Sequence, residues 1–461
     1  MGKARIGIEV MRATDGEVLF AHNAEGSFNP ASNTKMLTTA AALAFLGSDY
    51  RYLTVLAGPE PDTDGVVTGD VVLRGSGDPS LTTTDLAELA HDLSARGVVR
   101  IEGDLYADPR FHDPNSPAGA VGVGEGALVL HRNSYQVHVE AGELNHHGHV
   151  RVEPRSELFR VVNLTTTVKA KRSRLKIDAH REGDQVVVTV SGKVALGRGE
   201  YIDKRRLSDG TLAAAHVLSH ALSDFGVTLT GNIKIGPLDV SHLLAVHRSV
   251  SLADVCRISN KPSNNFVAES IYRTLGAELH GVPGTLEKGT RAVVEYLTSM
   301  GVPRDAYRIV NGSGLTHENR ISPHALAQLL RGIYYDPATA PDFLTSLAIA
   351  GIDGTIASRF QGTDAVGLVR AKTGTLNGVS ALSGYVGDKD DVIVFSIFME
   401  GFRQKRTPDA RRLQVRLVQA MLRYLHADTA TPATPSTGDG PSEMQGPAED
   451  SESDGESLNL R

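Results

Sequence analysis

A single cysteine, Cys256, stands in a chain of 461 residues, so no internal disulfide can form and no cysteine-rich metal site is available. The lack of disulfides suits the cytoplasm, yet exported proteins also do without them, and the compartment stays open. No stretch approaches the roughly 20 uninterrupted apolar residues of a membrane-spanning helix. A secretory leader is missing as well. Met1-Gly2-Lys3-Ala4-Arg5 runs straight into strand-like sequence, without the apolar core of roughly 7–15 residues that an export signal carries. No internal repeat of about 20–50 residues is visible.

The body of the chain also lacks net charge. Between Ala427 and Arg461, Asp428, Asp439, Glu443, Glu449, Asp450, Glu452, Asp454 and Glu456 oppose only Arg461, which accounts for the whole net charge of −7. That tail is rich in Pro, Ser, Thr and Gly and is expected to be disordered over 429–461, because it has too little apolar surface to offset the entropy of ordering. A neutral body without a basic patch argues against nucleic acid as a partner.

What is present is an ordinary globular composition, 41% hydrophobic and 22% charged, in a chain long enough for two or three domains. Ile6, Ile8 and Val10 alternate with polar residues, and Thr14-Asp15-Gly16 turns into Val18-Leu19-Phe20, a β-hairpin pattern. Met36 to Leu46 carries apolar residues at helical spacing and closes on Gly47. From about Thr63 the pattern changes to short strand-like segments, with one helix near Leu86–Ala95. Helices are expected again at 251–258, 264–275, 287–300, 322–333 and 408–425, and neighbouring strands at Leu368-Val369, Ala381–Val386 and Val392–Phe398. The expected architecture is therefore an α/β domain formed by both ends, 1–62 and 244–428, with a β-rich insertion over 63–243.

Three short motifs bear on chemistry. Ser-x-x-Lys occurs at Ser32–Lys35 and Ser173–Lys176. The second lies in a basic, strand-like stretch, where residues three apart point to opposite faces. Ser32 instead follows Pro30-Ala31 and opens a helix, so Lys35 returns to its face and can take its proton. On this segment alone, capping of the helix by Ser32 is the better account. Ser-x-Asn occurs at Ser27–Asn29, at Ser457–Asn459 in the tail, and at Ser263-Asn264-Asn265, where Lys261-Pro262 breaks the preceding helix. In that loop Ser263 can pass a proton and the Asn265 amide can hold a carbonyl or the lysine, or Ser263 can simply cap the next helix. Lys372-Thr373-Gly374 occurs once, followed by Thr375, in a strand pair. Lys372 and Thr373 there suit a substrate carboxylate, and Gly374 suits close approach of a peptide backbone. The amides of Thr375 and Ser32 suit an oxyanion. The alternative is an ordinary strand with an exposed lysine.

Each motif is weak alone, but the three stand in one order at a helix start, an inter-helix loop and a strand. Ser-x-x-Lys, Ser-Asp-Asn and Lys-Thr-Gly together mark penicillin-binding proteins and class A β-lactamases, with Ser-Asn-Asn here a looser fit. The chain resembles the peptidase S13, or penicillin-binding protein 4, family from Ile6 to about Leu425. The resemblance rests on Pro30–Leu37, Lys261–Glu269, Asn311–Leu315 with Asn319–Pro323, Gly351–Thr355 and Ala371–Leu376 running on to Val386. In that family the middle motif is commonly Ser-x-Asn, and long insertions separate the first two motifs. One departure is Asn311, where the family usually has an acid. Asn145-His146-His147-Gly148-His149 invites a zinc reading, but adjacent histidines diverge on a strand and no Asp or Cys stands nearby, so a polar turn is expected and no metal.

The resemblance implies a penicillin-binding-protein-like fold, an antiparallel sheet flanked by helices. It implies a serine D-alanyl-D-alanine carboxypeptidase or endopeptidase without cofactor, acting on peptidoglycan peptides and binding β-lactams. Its site residues would be Ser32, Lys35, Ser263, Asn265 and Lys372, with Thr373, Gly374 and Thr375 on the substrate. A β-lactamase or esterase on the same fold, and a non-catalytic binder of cell-wall peptides, are the competing readings. Such a substrate lies outside the cytoplasm, so the chain is expected to work there and to lack its natural export segment. The competing expectation is a cytoplasmic enzyme on wall precursors. Oligomeric state is not legible.

Overall fold

The computed structural model describes residues 4–114, 126–207, 209–240, 242–388 and 391–429. The expected disorder of the tail falls on residues outside these, except that the last helix runs on to Thr429.

Both ends of the chain build one six-stranded antiparallel sheet, in the order Ala348–Ile349, Val369–Leu376, Val379–Asp388, Asp391–Glu400, Arg5–Arg12, Val18–His22. Alternation within the strands decides which face each residue serves. Ala381, Tyr385, Val394 and Phe398 join the core under helices α1 (Thr34–Leu46), α4 (Leu252–Asn260), α5 (Asn265–His280), α6 (Leu286–Ser299) and α7 (Pro323–Tyr334). Leu382, Val386, Ile393, Phe395 and Ile397 face the other way, against Val418, Met421 and Leu425 of α9 (Thr407–Thr429). The short helix α8 (Ala340–Ser346) packs on α4 and α1. A sheet covered on both faces needs apolar residues at successive positions, and Val392–Met399 supplies them at every position but Ser396, which accepts a hydrogen bond from Ser383.

A second core belongs to a five-stranded mixed sheet, in the order Ile233–Ile235, Leu105–Asp108, Val71–Gly75, Leu53–Ala57, Leu243–Arg248. Against it pack α2 (Thr83–Ala95), fixed by a Thr82–Asp85 capping box, and α3 (Gly210–Asp224). Smaller sheets of residues 134–206 enclose a further core around Val137, Val139, Val188 and Val190. Helix α3 was not expected from the sequence. Its cap, Asp209, accepts from the Leu212 amide at 2.9 Å, and the alanine-rich run behind it buries most of its length. Lys169–Lys176 is also not one strand: the strand begins at Arg174, after a turn.

Strands 53–57 and 243–248 flank the segment expected as the insertion, yet they pair with each other inside its sheet. At their base the Tyr52 amide donates to Ser249 Oγ, and the Ser249 amide donates to the Tyr52 carbonyl, each at 3.0 Å. We propose that the chain divides there, near residues 52 and 249, rather than at 63 and 243. Leu218→Ala, a fully buried change in the second core, is expected to cost about 2–5 kcal/mol, to be read from urea unfolding.

Candidate active site

From Phe28 to Leu43 every residue is buried except Ser32, which alone in that run reaches solvent. It sits in a 3₁₀ turn, Ala31–Asn33, directly ahead of α1. The turn is strained: Ala31 has φ +45°, a region that costs a residue with a Cβ. Neighbouring groups hold it there. The Ala31 amide donates to Asn29 Oδ1 at 2.7 Å, and its carbonyl accepts from Thr34 Oγ1 at 2.8 Å. Two glycines close on it from either side. A Cβ on Gly314 (φ +76°) would stand 1.9 Å from the Ala31 carbonyl oxygen, and one on Gly374 would stand 2.7 Å from that of Pro30. Gly374 thus makes room for the chain's own turn, where the sequence suggested room for a substrate backbone. Ser27-Phe28-Asn29 likewise serves the turn through Asn29.

Helix α1 leaves the Ser32 hydroxyl free of capping duty and brings Lys35 beside it. Lys35 Nζ lies 3.1 Å from Ser32 Oγ and donates to Asn265 Oδ1 and to the Ser313 carbonyl, both at 2.6 Å. The side chain is buried, and desolvation lowers its pKa to about 7, against a counter-pull from Glu269. A neutral amine has two N–H groups and one lone pair. Asn265 Oδ1 and the Ser313 carbonyl only accept, so they take both N–H groups and the lone pair is left for the serine proton.

In Ser263-Asn264-Asn265, the middle residue is the cap: Asn264 Oδ1 accepts from the Val267 amide at 3.2 Å. That frees the other two. Ser263, at φ +61°, projects its hydroxyl to accept from Lys372 Nζ at 2.8 Å. Lys372 also donates to the Thr373 carbonyl at 2.9 Å and is fully buried. Burial first, and the charge of Lys35 second, hold its pKa well below that of a free lysine. Thr373 Oγ1 donates to Thr355 Oγ1 at 2.8 Å. Thr375 is exposed at the end of the strand, where its hydroxyl accepts from Arg411 at 3.3 Å.

Two residues outside the sequence-predicted set hold the site together. Glu269 follows Asn265 by one helical turn and is buried; its carboxylate accepts from the Gly312 and Ser313 amides at 3.2 and 3.0 Å. It thereby fixes the loop whose Ser313 carbonyl binds Lys35. Asn311 Oδ1 accepts from the Gly314 amide at 3.0 Å and braces the same loop. The same oxygen accepts from Asn319 Nδ2 at 3.1 Å, and Asn319 also donates to Thr34 Oγ1, two residues past Ser32, at 3.1 Å. The other Ser-x-x-Lys is committed elsewhere: Ser173 Oγ accepts from the Ala195 amide, and Lys176 pairs with Asp178 at 2.7 Å. His146 and His147 bond to the carbonyls of Leu144 and Thr165 in an exposed turn. Asp85, Glu88 and His247 bring ligand atoms within 4.8 Å of one another, but on α2 and strand 243–248 of the second core, and Asp85 is engaged with Thr82.

Comparison with known proteins places this geometry in context. The family model described as "D-Ala-D-Ala carboxypeptidase 3 (S13) family" matches residues 1–421. A D-alanyl-D-alanine carboxypeptidase of Actinomadura sp. (strain R39) is 32% identical over 421 residues, covering 86% of this chain and 77% of the relative. The crystal structure of penicillin binding protein 4 (dacB) from Haemophilus influenzae superposes with a TM-score of 0.72 at 23% identity, covering 93% and 97% of the two chains. The penicillin G acylated predatory endopeptidase Bd3459 from Bdellovibrio bacteriovorus, in complex with immunity protein Bd3460, shares the fold at TM-score 0.52 and 17% identity, covering 95% and 96%.

The lysine environment yields a direct test. The Lys35 side chain, followed by carbon-detected NMR, should titrate with a midpoint near 7. Glu269→Gln removes the one acid that favours the charged form and should move that midpoint down; an unchanged or higher midpoint would contradict the electrostatic account.

Proposed function

The chain belongs to the D-Ala-D-Ala carboxypeptidase 3 (S13) family and is a serine peptidase of D-alanyl-D-alanine, and from that premise we propose that Ser32 is its nucleophile and Lys35 the base. The observation that carries the assignment is the buried Lys35 Nζ standing 3.1 Å from Ser32 Oγ, with its two other partners, Asn265 Oδ1 and the Ser313 carbonyl, both acceptors.

In this reading Ser32 Oγ attacks the carbonyl carbon of the penultimate D-alanine while its proton passes to Lys35 Nζ. The tetrahedral oxyanion is held by the amides of Ser32 and Thr375. The C–N bond then breaks, and the proton on Lys35 Nζ passes to the leaving amine through the hydroxyl of Ser263, which is bonded to Lys372. An ester remains on Ser32. Water attacks it, giving a proton to Lys35 Nζ; the ester C–O bond breaks, Ser32 Oγ takes that proton back, and the shortened stem peptide leaves as a carboxylate. Asn265 orients the peptide as well as Lys35. Lys372 holds the terminal carboxylate by charge-assisted hydrogen bonds, and Thr373 adds its hydroxyl proton once it turns from Thr355 to the substrate. A cross-link is cut by the same steps when the leaving amine belongs to a neighbouring stem.

A β-lactam presents a strained amide to the same serine and leaves a stable ester there. The penicillin G adduct of the endopeptidase structure supports this outcome. Peptidoglycan as substrate places the work outside the cytoplasm. Among the described residues no helix is long and apolar enough to cross a membrane.

Labelling with a fluorescent penicillin, followed by mass spectrometry, should place the adduct on Ser32, and Ser32→Ala should abolish it. A label that persists on the variant, or appears on Ser173, would overturn the assignment. The base adds a pH test. Protonation of Lys35 removes the lone pair, so the second-order acylation rate should rise as pH increases through about 7 and level off above it. A rate that is flat from pH 5 to 9, values spanning about two units either side, would exclude Lys35 as base.

A further inference from the structure

Away from the catalytic centre, a cavity of about 410 Å³ opens between the start of α2 and the sheet of strands Ser134–Glu140, His149–Glu153 and Tyr201–Arg206. Strand register builds one wall. Lys204 stands opposite Gln136, and Gln136 opposite Glu153, so these side chains form one cross-strand row. The opposite wall is Pro79–Thr83 and the turn at His131–Asn133, whose three residues all have positive φ (+49°, +58°, +55°).

Three cations line this space: Arg132, Arg155 and Lys204. Among the described residues none of them pairs with a carboxylate or donates a side-chain hydrogen bond. Their neighbours do: Arg151 pairs with Glu200 at 2.8 Å, and Arg205 with Asp203 at 2.7 Å. The acid in the lining, Glu153, is already turned to His138 and Arg151, at 3.2 and 3.6 Å. Of the amides facing it from the helix start, that of Thr83 is bonded to His131 and that of Thr82 to Asp85. The attraction therefore comes from three uncommitted cations around one concavity, and it selects an anion.

The remaining lining narrows the class. Pro79, Leu81 and Pro154 give an apolar side, and Gln136 offers an amide. A long polyanion needs an open track of charge, whereas this space admits a chain end. Guanidinium groups take a carboxylate with two parallel hydrogen bonds. We propose that this cavity is a second binding site, for the free carboxylate end of a short peptide. That the peptide is a cell-wall stem rests on the function proposed above; the site itself does not.

The test uses the full chain with its active site closed by benzylpenicillin, and separately the Ser32→Ala protein, so that failure of acylation is told apart from failure of this site. The probe is an N-acetylated tripeptide ending in D-alanyl-D-alanine, followed by calorimetry and by chemical-shift changes around Gln136. One equivalent should bind the acylated protein and two the Ser32→Ala protein, whose active site stays open, and the C-terminally amidated probe should bind the acylated protein at least about tenfold more weakly, the difference expected when a charge-assisted contact is lost. Arg155→Gln/Lys204→Gln should weaken binding by a similar factor, and Arg132→Asn, a residue suited to positive φ, should do so separately. Both variants should keep the penicillin acylation rate of the parent. Absence of binding, equal binding of acid and amide, or equally tight binding of a glycerol phosphate oligomer would overturn the proposal.

Discussion

Two lysine side chains withdrawn from water in one site are the constraint around which the rest is arranged. Lys35 and Lys372 are both fully buried, and an isolated ammonium in such a place costs several kcal/mol even after relaxation. Among the described residues no acid forms an ion pair with either. Glu269 is the one carboxylate whose charge supports Lys35, and its oxygens are spent on the Gly312 and Ser313 amides. Desolvation wins, and Lys35 is poised near neutrality. A full ion pair would have kept the lysine charged and useless as a base. The acceptors it does meet, an amide oxygen and a main-chain carbonyl, satisfy its N–H groups without holding its proton.

The same arrangement explains where strain is kept. Both hydroxyl-bearing turns depart from ordinary backbone, at Ala31 beside Ser32 and at Ser263 itself. Such conformations last only where surroundings over-determine them. At Ala31 that role falls to Gly314 and Gly374, one from the loop that serves Lys35 and one from the strand that carries Lys372. The three motifs are thus locked to one another by packing as well as by hydrogen bonds. Displacing either glycine by a methyl group would move the serine, not merely crowd it.

Much of this was legible in the sequence, and the reason lies in local rules. A helix start after Pro30, a loop after Pro262 and a strand pair around Lys372 are set by short-range patterns, and each motif fell on the element boundary its chemistry needs. Other features carry no such signal. A main-chain carbonyl such as that of Ser313 has no residue signature. The division of labour in Ser263-Asn264-Asn265 appears only when Asn264 is seen to cap α5, and Glu269 gains its meaning from two buried amides distant in sequence. Helix α3 was missed although Asp209 and an apolar alanine-rich run announced it, because the strands on either side set the expectation for the whole segment.

The separation of Ser32 from Ser263 by some 230 residues looks costly for a site that needs them in near contact, yet loop closure grows only with the logarithm of length. The chain reduces even that. Tyr52 and Ser249 pair at the neck, and the amides of Leu252 and Ala253 donate to the carbonyls of Tyr50 and Ser48. These bonds join the loop after α1 to the start of α4, two helices whose packing is then fixed by the buried Asn260, which donates to Thr39 Oγ1 and Ser346 Oγ. Everything between residues 52 and 249 thus enters and leaves through one hydrogen-bonded point. The candidate catalytic groups all lie on one side of it, and residues 111–113 touch that side again, where the Gly284 amide donates to the Phe111 carbonyl and the Asp113 amide to the Gly284 carbonyl.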